Sequence, residues 1–151
     1  MDLSGTEGSA KVSIYTDGSK TENHVGASIV AVKNSTEIHT ETQRLSITCT
    51  VFQAELCGII MAVDWIQIQG QKTSSYAIYV DSKATLLAIA NKHTTRPLAV
   101  ATRLKINELR NSSVDKKNQL DVTFCILYFS SNSCSTCFGQ PCAHHQELTT
   151  A

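Results

Sequence analysis

Three carboxylates stand where the local pattern of the chain changes: Asp17 after Val12 to Thr16, Glu55 early in an apolar-periodic stretch, and Asp81 directly after Tyr76 to Val80. Each has an ordinary role open to it. Asp17-Gly18 is a turn signal, Glu55 can answer a helix dipole, and Asp81 can cap a helix. Gathered in one place, the three would have a different chemistry, because like charges raise one another's pKa. A divalent cation is the usual partner that lets such carboxylates stay ionised together. A second candidate set lies near the end of the chain, where Cys134-x2-Cys137-x4-Cys142-x-His144 offers four soft ligands of the kind a zinc knuckle uses to bind single-stranded nucleic acid. The single residue between Cys142 and His144 departs from common structural-zinc spacing, so an irregular terminus is the alternative.

The elements that must position the carboxylates follow from periodicity. Val12 to Thr16 is β-rich and Asp17-Gly18 is expected to end it. Val25 to Val32 reads as a second strand. Asn34-Ser35 reads as the turn into a third, Glu37 to Leu45, where β-branched and charged residues alternate. Short connections make these three an antiparallel meander. Phe52, Leu56, Ile59, Val63 and Ile66 then recur at helical spacing up to Gly70, with Thr50 and Gln53 matching a capping box. Tyr76 to Val80 is apolar enough for mid-sheet. Asp81-Ser82 opens a short helix through Ala90, and Pro97 starts another running to about Arg110 with Leu98, Ala101 and Leu104 as its apolar stripe. Leu120, Val122, Phe124 and Ile126 alternate as a fifth strand. The expected fold is α/β with a mixed five-stranded sheet, three antiparallel strands followed by helix–strand units. If the first and fourth strands are neighbours, Asp17 and Asp81 emerge at one edge of the sheet, and a helix crossing that edge presents Glu55 between them.

A chain of 151 residues with 42% hydrophobic composition is one globular domain's worth, which excludes disorder throughout. Residues 1–10 read as a flexible lead-in, residues 11–129 as the domain, and residues 130–151 as a Ser/Cys-rich tail without helical or strand period. No apolar run approaches the roughly 18 residues of a membrane span, and the start lacks the pattern of a signal peptide. An intracellular protein away from membranes, with its six Cys mostly reduced, is expected. The zero net charge hides a gradient: residues 1–71 carry 4 basic and 8 acidic side chains, while residues 72–117 carry 9 and 3. Lys83, Lys92, Arg96, Arg103, Lys105 and Arg110 make that middle segment either a phosphate-facing surface or a solvated helical face.

Taken together, Tyr15-Thr16-Asp17-Gly18-Ser19, Phe52-Gln53-Ala54-Glu55-Leu56 and Tyr79-Val80-Asp81-Ser82 resemble the successive motifs of the type 1 ribonuclease H domain. Leu86 to Asn91 and His93 to Leu98 are similar to the copies carried by non-LTR retrotransposons, so a parent polyprotein with a reverse transcriptase is implied. The resemblance covers roughly residues 11 to 125. It implies a metal-dependent endonuclease that cuts the RNA strand of an RNA/DNA hybrid with two Mg2+ ions, for which Mn2+ can substitute. By the family pattern Asp17 bridges both ions, while Glu55 and Asp81 hold the one on the leaving-group side. Gly18 and Ser19 would lie against the RNA backbone, and Gln53, Ser82 and Asn91 are candidate donors to 2′-hydroxyls, with capping or surface roles as their alternatives. Arg103 is a candidate phosphate ligand.

The family pattern continues after its fifth strand with a histidine loop and a helix bearing a fourth metal-binding Asp. Neither motif follows Val122-Thr123-Phe124-Cys125; the last Asp is Asp121, and Glu147 is the only later acid that could stand in. A non-catalytic nucleic-acid-binding module and a degenerate retroelement remnant are therefore the competing expectations.

Overall fold

The computed structural model describes residues 10–69, 75–111, 122–126 and 137–138 of the chain. Strands β1 (Val12–Lys20), β2 (Val25–Lys33) and β3 (Thr36–Leu45) form the expected antiparallel meander. Asn34 and Ser35 turn β2 into β3 with φ values of 50° and 62°, the pair of positive angles that a two-residue hairpin matched to strand twist requires.

β1 does not end at Asp17-Gly18. It runs on to Lys20, with Asp17 opposite Ser28 and Gly18 opposite Ala27 on β2. The period-two pattern explains why: Val12, Ile14, Thr16 and Gly18 are buried on one face, while Tyr15, Asp17 and Ser19 are exposed on the other. Pairing with β2 over that alternating register overrides the local turn preference.

Helix α1 (Val51–Gln69) starts where the capping box places it. Gln53 N–H donates to the Thr50 hydroxyl at 3.2 Å, and Thr50 N–H donates to Gln53 Oε1 at 2.8 Å. Its 19 residues are long and apolar enough, at a mean hydropathy of 1.4, to cross a membrane by length and composition alone. Here the apolar side is instead spent on the sheet, where Leu56, Ile59, Val63 and Ile66 pack with Ile14 and Ile29. Each such side chain contributes about 1.5–3 kcal/mol by leaving water. Trp65 closes the far end of this core, edge-on to Tyr76 at 6.3 Å and stacked with His39 at 5.2 Å.

β4 (Tyr76–Val80) lies parallel to β1, and α2 (Lys83–Ala90) and α3 (Pro97–Asn111) follow it. The cap of α2 is Ser82, whose hydroxyl accepts from Thr85 N–H at 3.3 Å, so Asp81 is not used as the cap. The buried stripe of α3 also differs from expectation. It consists of Ala99, Thr102, Ile106 and Leu109, while Ala101 and Leu104 face solvent. Thr102 can occupy the core because its hydroxyl donates to the Leu98 carbonyl at 2.7 Å, which hides the polar atom and masks the stripe in the sequence. Lys105 reaches back to Asp64 and pins α3 to α1.

β5 (Val122–Ile126) lies parallel to β4, so all five expected strands are present. The region after Phe129, which shows no strand period, supplies a two-residue strand β6 (Cys137–Phe138) antiparallel to β5. The sheet order is β3-β2-β1-β4-β5-β6. The remaining candidate zinc ligands, Glu147 and any last helix lie outside the described residues.

Candidate active site

The parallel register of β1 and β4 pairs Val12 with Tyr76 and Tyr15 with Tyr79. Continued by two residues, the same register sets Asp17 beside Asp81. The last tie before them is a side-chain bond, from the Thr16 hydroxyl to the Tyr79 carbonyl at 3.2 Å. Both aspartates are exposed at this end of the sheet.

Glu55 comes from α1, and the contact that brings it in depends on Gly18. A Cβ at position 18 would fall 2.4 Å from the Glu55 backbone nitrogen and 2.6 Å from the Ala54 carbonyl carbon. The glycine therefore serves the approach of α1 to β1, and it is buried there. Asp17, Glu55 and Asp81 each offer an oxygen, and these three oxygens lie within 4.8 Å of one another.

The electrostatics of the group are uneven. Glu55 is 5% exposed, and its Oε2 is buried with no hydrogen-bond partner. Burial first, then the charges of Asp81 and Asp17, lift its pKa to about 7, against the opposing pull of the Gly18 backbone N–H. A buried carboxyl with an orphaned oxygen, facing two exposed carboxylates, is a donor set whose mutual repulsion a cation would relieve. Hard oxygen ligands of this kind suit Mg2+ or Mn2+.

The other residues singled out in the sequence are distributed around this cluster. Ser19 is exposed on β1. Gln53 gives its Oε1 to the cap of α1, which leaves its amide group to donate elsewhere. Ser82 is engaged as the cap of α2 and also accepts from the Thr85 hydroxyl at 2.7 Å. Asn91 is the C-cap of α2, exposed, with its Oδ1 accepting from His93 N–H at 2.9 Å. Arg103 donates Nη1 to the Asn91 carbonyl at 2.6 Å, so one of its donors is committed to the loop after α2 and not to a phosphate. Arg96 lies over the Phe52 ring, 4.7 Å from its centroid, and joins that loop to the start of α1. The Thr16 bond has no signal in the sequence, because a bond from a side chain to a carbonyl distant in sequence leaves no local pattern.

The fold and this site can be set beside known proteins. RNase H1 from the halophilic archaeon Halobacterium salinarum NRC-1 superposes with a TM-score of 0.58 at 18% identity, over 77% of this chain and 86% of that one. LC11-RNase H1, solved in complex with an RNA/DNA hybrid, gives a TM-score of 0.59 at 17% identity over 76% of this chain and 85% of that one. The Prototype Foamy Virus protease–reverse transcriptase gives 0.56 at 16% identity, over 76% of this chain but 17% of that one. No curated protein matches the sequence. These structural likenesses establish the fold, and membership rests on the sequence itself: the RNase H family model matches residues 9–128, so the chain belongs to the ribonuclease H family.

Proposed function

We propose that this chain hydrolyses the RNA strand of RNA/DNA hybrids as an endonuclease whose divalent cation is held by Asp17, Glu55 and Asp81. The observation that carries this reading is the convergence of three carboxylate oxygens within 4.8 Å, one of them from a glutamate whose Oε2 is buried and unpartnered. A cation bound there would supply Lewis-acid polarisation of a phosphoryl oxygen and of an attacking water. The chain's own residues do the rest. Asp17 and Asp81, exposed at the sheet edge, face an incoming backbone, while Glu55 anchors the site from the buried side. The amides of Gln53 and Asn91 and the Ser82 hydroxyl are donors suited to the 2′-hydroxyls that distinguish RNA from DNA. Ser19 and the exposed cations of α2 and the loop after it would make the phosphate contacts.

The same reading makes the chain one domain of a longer polyprotein with a reverse transcriptase. Its motifs and its likeness to the foamy virus protein support that context. A second reading, a module that binds hybrids without cutting them, is favoured by one observation: the sequence has no Asp after Asp121, whereas the family pattern places a fourth metal-binding Asp on a helix after its fifth strand.

The deciding experiment uses an RNA/DNA hybrid labelled on the RNA strand, with free RNA and duplex DNA alongside, in Mg2+, in Mn2+ and in EDTA. Cleavage confined to the RNA of the hybrid and lost in EDTA is expected. Equal cutting of free RNA, or cutting that survives EDTA, overturns the proposal. Tight binding without any cleavage establishes the second reading.

A further inference from the structure

We propose that Thr16 and Lys20 are positioning residues that fix the separation of the three carboxylates, Thr16 by tying β1 to β4 and Lys20 by tying β1 to the segment that leads into α1. The inference rests on the reading of Asp17, Glu55 and Asp81 as a cation site. Three carboxylates drawn this close repel, so some tie must oppose their spreading.

On the β4 side, the backbone register of β1 and β4 runs only as far as Tyr15 and Tyr79, two residues short of the aspartates. Beyond it the strands are joined by the Thr16 hydroxyl on the Tyr79 carbonyl, a bond shielded by the burial of Thr16. The Tyr15 and Tyr79 rings stack at 4.9 Å, which clamps the same rung through its side chains.

On the α1 side, Lys20 Nζ donates to the Ile47 carbonyl at 3.0 Å and to the Cys49 carbonyl at 2.7 Å. Those carbonyls belong to the segment that leads into the Thr50 cap and so sets where α1 begins. That segment is itself tightly turned, with Cys49 N–H donating to the Ser46 carbonyl at 2.9 Å, which lets one ammonium reach two acceptors. Charge-assisted bonds of this type are shorter and stronger than neutral ones. Lys20 sits two residues beyond Gly18, so the close packing of Gly18 on Glu55 is held from its open end.

The test measures metal uptake and hybrid binding in the full chain, with neither readout dependent on turnover. Calorimetry with Mn2+ alone is compared for the parent, Lys20→Met, Lys20→Arg, Thr16→Val and Thr16→Ser. Loss of an ammonium near a cation site should by simple charge tighten metal binding. We expect the opposite, a roughly tenfold weakening in Lys20→Met and in Thr16→Val, as for residues that orient metal ligands, with most of it regained in Lys20→Arg and Thr16→Ser. Binding of an RNA/DNA hybrid in EDTA, and its salt dependence, should be unchanged in Lys20→Met. Metal affinity equal to the parent's in both disrupting variants overturns the proposal. So does a Lys20→Met chain whose salt slope falls by about one unit with metal affinity intact, since that is the mark of a phosphate ligand. A parent chain that takes up no Mn2+ overturns the cation site itself and this inference with it.

Discussion

Gly18 and Glu55 are in backbone contact: a methyl group at position 18 would meet the Glu55 nitrogen at 2.4 Å, where only backbone atoms could give way. Gly18→Ala should therefore push α1 off β1 and destabilise the protein by about 1–3 kcal/mol, the range for overpacked sites. Metal binding should fall with it. Gly58, one turn further along α1, is the control. A Cβ there meets Thr16 and Asp17 at 3.4 and 3.5 Å, ordinary contact distances, and alanine improves helix propensity by about 1 kcal/mol. Thermal melts of the two variants should move in opposite directions.

Asp17→Asn keeps size and removes one of the two exposed charges of the cluster. It also relieves repulsion on Glu55, because the Asp17 charge is one cause of the raised Glu55 pKa. The variant should melt no lower than the parent in metal-free buffer while losing Mg2+ binding. Unchanged calorimetric binding of Mg2+ would remove Asp17 from the site.

The Glu55 carboxyl makes a prediction in pH. Its pKa rises from 4.5 to about 7 on folding, so the folded state favours the protonated form. That stabilisation is complete below the unfolded value and is lost as pH climbs through the folded one. Metal-free protein should lose stability between about pH 5 and about pH 8, by an amount on the order of 3 kcal/mol. Glu55→Gln should flatten the dependence. Mg2+ competes with the proton, so its stabilising effect should be small in acid and grow with pH. Melts across this range, with and without Mg2+, check each of these effects.

Asp81 is legible in the sequence because the strand period of β4 stops at Val80 and helix α2 follows. Thr50 and Gln53 likewise declare the start of α1 through a local rule. What could not be found was settled by non-local pairing. The Asp17-Gly18 pair has turn chemistry, but pairing with Ser28 and Ala27 carries β1 through it. Thr102 reads as surface, yet its hydroxyl is satisfied within its own helix and the residue is buried. Arg103 reads as a phosphate ligand, yet it holds the Asn91 carbonyl, and Lys20, which belongs to no motif, holds those of Ile47 and Cys49.

Those commitments sort the cations for hybrid binding. Lys105 is paired with Asp64, and Arg103 donates to Asn91, whereas Lys83 and Lys92 are exposed without an ion pair among the described residues. Reversing Lys83 and Lys92 together should lower the slope of log K against log salt by roughly two units, while Lys105→Ala should leave it nearly unchanged. Arg103→Ala should weaken binding by loosening the loop after α2, with a slope change below that of the double reversal. Anisotropy titrations of a labelled hybrid from about 50 to about 200 mM salt give the comparison. A slope set by Lys105 would place the nucleic-acid surface on the other side of α3.

Turnover should depend on the stretch of chain beyond β5. Ile126 pairs with Val80, immediately before Asp81, so β5 ends beside the acidic cluster. A segment grafted after Ile126, carrying a histidine loop and a helix with one Asp, would start from the right place to add a fourth carboxylate. With three carboxylates the site should hold cations weakly, and cleavage should need high Mg2+ or Mn2+. The graft should raise the rate by orders of magnitude at low Mg2+, because the added ligand acts on the reacting centre, and it should change hybrid affinity in EDTA little. Single-turnover cleavage of a labelled hybrid over a Mg2+ series separates the alternatives. If the natural chain already cuts as fast as the graft at low Mg2+, a residue after Ile126, Glu147 first among them, completes the site, and Glu147→Gln should then abolish the low-Mg2+ activity.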